Sequence, residues 1–187
     1  MATESSHLPS ADLGLIKRAR EGDRSAFHEL VDRHAHSLFV LAVSLCGNTA
    51  DAEDIVQETF AGAFRGLQGF RGQASVKTWL TRILIRQTAR HHRSSRSRKA
   101  TLVPLEAASE AATGRASQHT EADTRIDVTA AIRTLSPDHR EVIVLRELQG
   151  LSYDEMAEVL EVPRGTVESR LFRARRELQD RLKEYFA

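Results

Sequence analysis

Eight side chains between Arg164 and Arg176 have the chemistry to read a DNA duplex: Arg164, Thr166, Glu168, Ser169, Arg170, Phe172, Arg173 and Arg176. Arginine takes guanine bidentately or holds phosphate, serine and threonine bond either, and a forward-pointing aromatic touches the methyl group of thymine. One good bidentate base contact is worth about 1–3 kcal/mol of discrimination. Glu168 is the exception in this group, because phosphate repels a carboxylate. It either accepts from a cytosine amino group or pairs with a neighbouring arginine, and the sequence leaves both open.

A second concentration of cations lies mid-chain. Residues 59–105 carry ten Lys and Arg and no Asp or Glu, a balance that suits a surface facing phosphate better than one serving solubility. A solvated basic helix end is the plainer alternative. Arg82, Arg86 and Arg90 recur every four residues, which places them on one helix face, and Arg93, Arg96, Arg98 and Lys99 continue beyond. Upstream the character reverses: Asp51, Glu53, Asp54, Gln57 and Glu58 make an acidic and polar cluster on one helix. DNA repels such a patch, so a protein surface is its natural partner. The acids also favour a helix N-terminus, a role that suits Asp51.

These groups must be held by helices. In the C-terminal third, Ser136-Pro137-Asp138 combines an N-cap serine, a proline at the first helical position and an early acid. Val142, Ile143, Leu145 and Leu148 follow, and Gly150 stops the helix. Ser152 with Glu155 spells a capping box for a second helix, with Met156, Ala157, Val159 and Leu160 inward. After a turn at residues 161–165, Val167, Leu171, Ala174, Leu178 and Leu182 form the inner stripe of a third helix. Helix, short turn and basic helix are the layout that lays a recognition helix in the major groove.

Between Leu13 and Arg98 the apolar residues also recur at helical spacing: Leu38, Leu41, Val43 and Leu45, then Ile55, Val56, Phe60 and Phe64, then Trp79, Leu80, Ile83 and Leu84. Breaks fall at Gly47-Asn48-Thr49 and across residues 66–74. Residues 100–126 shift to Ala, Ser, Thr and Glu and read as a flexible linker. The expected fold is therefore all-α, with two small helical domains: 1–12 a disordered start, 13–99 the first domain, 100–126 the linker and 127–187 the second.

Composition narrows the function classes. With 187 residues, 41% hydrophobic but only 5% aromatic, the chain can build modest helical cores. No apolar run approaches the roughly eighteen residues a membrane span needs, and the polar start carries no targeting pattern, so a cytoplasmic protein without membrane insertion is expected. One cysteine, Cys46, lies among apolar neighbours and suits core filling rather than a disulfide or zinc site. His34 and His36 would point to different sides of a helix and His91-His92 are adjacent, so no metal is expected. No phosphate loop, nucleophile elbow or paired acid and base stands out, so neither a cofactor nor an enzyme activity is expected.

The stretch from Gly150 to Leu178, GLSYDEMAEVLEVPRGTVESRLFRARREL, closely resembles the second DNA-binding domain of bacterial sigma factors of the extracytoplasmic-function type. The run DAEDIVQETF from Asp51, the Phe70-Arg71-Gly72 loop, and Thr78-Trp79-Leu80 with Arg82-Ile83 resemble the family's other domain, region 2. The resemblance implies a protein that binds core RNA polymerase, recognises the −10 and −35 promoter elements and helps to open the duplex. It implies that the 51–58 helix docks on the polymerase clamp, and that Arg82, Arg86, Arg90 and Arg93 hold the −10 backbone. It likens the loop of Phe70, Arg71, Gly72, Gln73 and Ser75 to a pocket for a flipped-out base, where small residues allow close approach and polar groups read the exposed edge. It assigns −35 reading to the helix from Arg164 to Arg176.

An anti-sigma protein is a further implied partner, although nothing in the sequence identifies one. The linker in the family threads towards the polymerase active site. Its acids Glu106, Glu110, Glu121 and Asp123 either mimic nucleic acid there or belong to a solvated tether. Where the family often has asparagine, seven residues after the tryptophan, this chain has Arg86, so its −10 preference does not carry over from relatives. Trp79 itself is either a core residue, which its spacing with Ile83 favours, or a stacking platform.

A stand-alone repressor or activator would use the same helix-turn-helix, with the N-terminal helices dimerising or sensing a ligand. A nuclease is a third class. The acidic cluster at 51–58 separates the first two, since only a polymerase-dependent factor needs it.

Overall fold

The structure is a computed structural model that describes residues 9–101, 128 and 130–186. The linker expected over residues 100–126 lies outside the described residues except at its start.

Four helices make the N-terminal unit: α1 (Pro9–Arg20), α2 (Arg24–Cys46), α3 (Thr49–Gly66) and α4 (Val76–Thr101), with a 3-10 turn at Leu67–Gly69 between the last two. After a helical turn at 130–134 come α5 (Pro137–Glu147), α6 (Tyr153–Leu160) and α7 (Arg164–Phe186). No strand occurs among the described residues.

Local chemistry sets most boundaries. Gly22 at φ +97° closes α1, and Asp23 then caps α2 by accepting from the backbone N–H of Ser25 and Ala26 at 2.9 and 3.2 Å. Gly47 at φ +85° closes α2, and the Asn48 side chain caps α3 by accepting from Asp51 N–H at 2.8 Å. Ser136 caps α5 with Pro137 at its start, and the capping box of Ser152 and Glu155 opens α6. Glu161, at φ 56°, is the one non-glycine residue in the left-handed region among those described and turns the chain from α6 into α7.

Two boundaries differ from the sequence reading. The start expected to be disordered over 1–12 is already helical from Pro9, because proline suits a first helical position and Asp12 is tied down. Its carboxylate accepts from Arg33 at 3.1 Å and lies 2.9 Å from His34, both on α2. At the other end α4 continues to Thr101, slightly past the boundary expected at residue 99.

Buried apolar side chains form one continuous cluster through both helical units. In the N-terminal unit Leu30, Leu38, Leu41 and Leu45 meet Ile55 and Phe60 of α3 and Leu80 and Leu84 of α4. In the C-terminal unit Val142, Val144 and Leu145 meet Met156, Val159, Val167, Leu171 and Ala174. Leu148, expected to face this core, is instead 49% exposed, and its neighbour Gln149 is buried. Gln149 is a polar wedge between the units: it accepts from Ser37 Oγ at 3.0 Å and donates to Ser37 O at 3.2 Å. Its own carbonyl accepts from Lys77 Nζ at 2.5 Å.

Candidate nucleic-acid interface

Helix α4 carries the basic face. Ser75 begins it by accepting from Thr78 N–H at 3.0 Å, so the end of the preceding loop is pinned to the helix. At the loop's other end the Phe70 ring is buried against Trp79, with centroids 4.8 Å apart. Arg71, Gly72 and Gln73 stand exposed between these anchors, and Gly72 takes φ +70°, which suits a residue without Cβ.

Together the loop and helix enclose a cleft of about 360 Å³ lined by Gly69, Phe70, Arg71, Gln73, Ala74, Trp79, Arg82, Ile83 and Arg86. Five of the expected loop and helix residues meet there: Phe70, Arg71, Gln73, Arg82 and Arg86. Gly72, Ser75, Arg90 and Arg93 do not line it, although Arg90 and Arg93 are exposed farther along α4. Trp79 is half-buried: its ring packs on Phe70, with centroids 4.8 Å apart, and it also lines the cleft.

The cations of this face are not all free. Arg82 pairs with Glu158 at 2.9 Å and Arg86 with Glu161, both carboxylates contributed by the α6 end of the helix-turn-helix. Thr78 donates to Glu155 at 3.0 Å beside them. Hydrogen bonding from Arg86 holds the Glu161 carboxyl below the usual range. For Glu155 burial pushes the other way, but hydrogen bonds from Ser152 and Thr78 outweigh it and the net shift is also downward. Arg71, Arg90 and Arg93 have no carboxylate partner among the described residues.

The α7 residues divide in the same way. Phe172 is the most exposed large apolar side chain described, at 69%, and Arg173 and Arg176 are exposed and unpaired among the described residues. Ser169 and Thr166 lie on this side too, with Ser169 Oγ donating to Thr166 O at 3.0 Å. Glu168 accepts from Arg164 Nε at 2.9 Å, so of the two options the structure shows the arginine pair. Arg164 also donates to Asp154 at 3.1 Å, bridging α6 and α7. Arg170, expected on the outer face, turns towards α5 and pairs with Asp138 at 2.7 Å.

On α3, Glu53, Asp54, Gln57 and Glu58 are exposed on the side opposite the buried Ala52, Ile55, Thr59 and Phe60. Phe64, 55% exposed, continues this outer side. Asp51 is set apart: its carboxylate accepts from Asn48 and lies 3.4 Å from His91, so it belongs to the helix start.

Sequence reasoning missed the residues that join the units: Lys77, Gln149, Glu155, Glu158 and Glu161. One signal was present, since residues 153–161 hold four acids and no Lys or Arg and lie against a carboxylate-free helix. Among the described residues no group of three or more His, Cys, Asp and Glu is placed to hold a metal ion, and no helix is long and apolar enough to cross a membrane.

Comparison with known proteins adds an independent line. Residues 30–98 match the family model for sigma-70 region 2, and residues 125–178 the model for sigma-70 region 4. The chain is 37% identical over 174 residues to an RNA polymerase sigma-H factor of Pseudomonas aeruginosa, covering 88% of this chain and 90% of that one. It is 35% identical over 181 residues to an ECF RNA polymerase sigma-E factor of Escherichia coli K12, covering 91% and 94%.

Among solved structures, CnrH in complex with the cytosolic domain of CnrY is similar at TM-score 0.70 and 30% identity, over 94% of this chain and 99% of that one. The sigma factor RpoE of Bartonella quintana, in complex with the anti-sigma factor NepR, is similar at TM-score 0.64 and 29% identity, over 84% and 96%. A helical unit with a basic cleft, a helix-turn-helix with an exposed basic face, two family models in order and relatives matched along nearly their whole length all agree: the chain belongs to the sigma-70 family of RNA polymerase sigma factors, in its extracytoplasmic-function group, and serves promoter-specific transcription initiation.

Proposed function

We propose a division of labour among three surfaces of this sigma factor. The exposed face of α3, with Glu53, Asp54, Gln57 and Glu58 and flanked by Phe64, docks on core polymerase. An acidic patch beside an exposed aromatic suits a protein partner and repels DNA. The cleft between the 70–75 loop and α4 takes a base flipped out of the −10 element. Gln73 and Arg71 read its edge, Trp79 and Phe70 provide an aromatic wall, and Arg82, Arg86, Arg90 and Arg93 follow the backbone. The outer face of α7, from Thr166 through Ser169, Phe172, Arg173 and Arg176, reads the −35 element in the major groove, while Arg164 and Glu168 brace its start.

The observation that carries this reading is the cleft itself, because it joins a polar edge-reading loop, an aromatic wall and arginines in one space large enough for a base. Exchanging Gln73 for Ala in the holoenzyme tests it. Discrimination between the preferred −10 sequence and single-base variants falls, and unchanged discrimination would overturn the reading.

The chemistry of transcription then belongs to the polymerase, and this chain contributes binding alone, in the cytoplasm. Because α6 carboxylates occupy Arg82 and Arg86, −10 DNA must displace α6 to reach them, so the two units separate as the promoter is engaged. Two similar structures hold their sigma factors with CnrY and with the anti-sigma factor NepR. An anti-sigma protein that keeps the two units together fits the same logic here, and co-purification with full-length chain, competed by core polymerase, tests it.

A further inference from the structure

Arg20, the last residue of α1, reaches across to the backbone that leads into the edge-reading loop. Its Nε donates to Leu67 O at 2.9 Å, and one terminal nitrogen donates to Phe70 O and lies 3.4 Å from Gln68 O. In return Gln68 Nε2 donates to Arg20 O at 3.2 Å. One guanidinium thus gathers the carbonyls of Leu67, Gln68 and Phe70 at the point where the helical path ends; of these, Leu67 O also accepts from Phe70 N–H at 3.3 Å within the 3-10 turn. The planar five-donor fork is suited to this, whereas an ammonium is a single point of charge.

This clamp sits where the loop's path is decided. Phe70, whose carbonyl it holds, is the residue that packs on Trp79, and Arg71, Gly72 and Gln73 follow at once. The far end of the loop is held separately by Ser75, through Thr78 N–H at 3.0 Å and Thr78 Oγ at 2.8 Å. Between the two anchors Leu13 of α1 lies near the loop, its Cδ2 3.8 Å from the place a Cβ on Gly72 would take. The loop is therefore suspended between α1 and α4. Only the α1 anchor comes from outside the segment that lines the cleft.

We propose that Arg20 is a positioning residue for −10 specificity: by fixing the Leu67–Phe70 carbonyls it sets the height at which Gln73 and Arg71 meet an extruded base. Helix α1 is on this account part of the promoter-reading device. The inference rests on the proposed base-reading role of the cleft, and the test separates the two.

The assay uses holoenzyme assembled from core polymerase and full-length chain, on fork-junction promoter DNA in which the extruded −10 base is preferred, substituted or abasic. Arg20→Ala lowers discrimination between preferred and substituted base by roughly tenfold, the value of one good base contact. It leaves binding to the abasic template, to core polymerase and to −35 duplex at the wild-type level. Arg20→Lys restores part of the discrimination. Arg18→Ala, which breaks the neighbouring Arg18–Asp23 pair at 2.7 Å on the same helix end, leaves discrimination unchanged.

Equal loss by Arg20→Ala on preferred, substituted and abasic templates would overturn the proposal by showing a general fold defect. Wild-type discrimination in Arg20→Ala, with Gln73→Ala defective, would overturn positioning but keep the cleft reading. Wild-type discrimination in Gln73→Ala would overturn both. If Arg20→Ala does not assemble with core, Arg20→Lys decides alone: reduced discrimination with intact core binding supports the proposal and full discrimination overturns it.

Discussion

Replacing Glu158 and Glu161 together by Gln should unmask the basic face of α4 in the free protein. The Arg82–Glu158 pair, 2.9 Å apart, leaves the two side chains 26% and 38% exposed, whereas Arg86 and Glu161 are 61% and 59% exposed. A partly exposed pair contributes about 0.7–1 kcal/mol and a well-exposed one about 0.3–0.4 kcal/mol, so the two together hold α6 over α4 by about 1–1.4 kcal/mol. That is roughly a five- to tenfold change in the equilibrium between covered and open forms. Lys77, Thr78 and Gln149 still join the units in the variant, so opening is favoured but not forced.

The assay is fluorescence anisotropy of full-length protein with a single-stranded −10 oligonucleotide at one fixed salt concentration, because phosphate contacts make affinity salt-dependent. Removing two acids raises DNA affinity by charge alone, so Glu147→Gln with Asp180→Asn is the control. These carboxylates pair with Arg175 at 2.8 Å and Lys183 at 3.4 Å, away from α4. The interface variant should bind roughly five- to tenfold more tightly than this control. Equal affinity of the two double variants would refute the claim that α6 shields the −10 face.

Three further outcomes follow from the geometry. Arg173→Ala in the holoenzyme should weaken binding to −35 duplex by about 1–3 kcal/mol if the contact is to a base; an unaltered affinity would place the reading face elsewhere on α7. Burial, aided by Asp51, pushes the Cys46 thiol up to about 11 from 9.0. At pH 8 its thiolate is then about a hundredfold scarcer than in the unfolded chain, and iodoacetamide should alkylate the native protein slower by at least that factor. Acid should loosen the α4–α6 contact, because Glu155 and Glu161 both titrate below the ordinary 4.5 in the folded protein. Their stabilisation is complete above that value and disappears as pH falls through the lower folded values. A titration from pH 6 to 3 followed by Trp79 fluorescence should show this transition, and Glu155→Gln with Glu161→Gln should remove it.

What the sequence displayed was local chemistry. Ser136 and the Ser152–Glu155 box cap the helices they announce, because capping depends on residues three apart in the chain. The inner stripe of α7 was equally plain at Val167, Leu171 and Ala174, which are buried. Leu178 and Leu182, read as its continuation, are only half-buried and line a surface groove. The buried part even contained the correction to Arg170. That residue lies three after Val167 and four before Ala174, so the same periodicity turns it inward towards Asp138. The start of α1 was obscured because its anchors, Arg33 and His34, lie 21 and 22 residues from Asp12.

The loop and α4 were legible as candidate DNA contacts, but not their occupation by α6. A linker of small polar residues suggests independent units, and no periodicity reports that Gln149 inserts beside Ser37, 112 residues away. Only the match of an acid-only helix to an acid-free one hinted at it. Arg20 was hidden for the same reason, since its acceptors lie 47 to 50 residues onward.

The central claim, a two-point promoter reader that works on core polymerase, is tested most directly by run-off transcription on a genomic library with core enzyme and full-length chain. Start sites should share two upstream elements at a constant separation, and Asp54→Arg with Glu58→Arg should abolish them while leaving the helical content intact. Transcription from the same start sites with the double variant, or no start sites beyond those of core enzyme alone, would contradict the account.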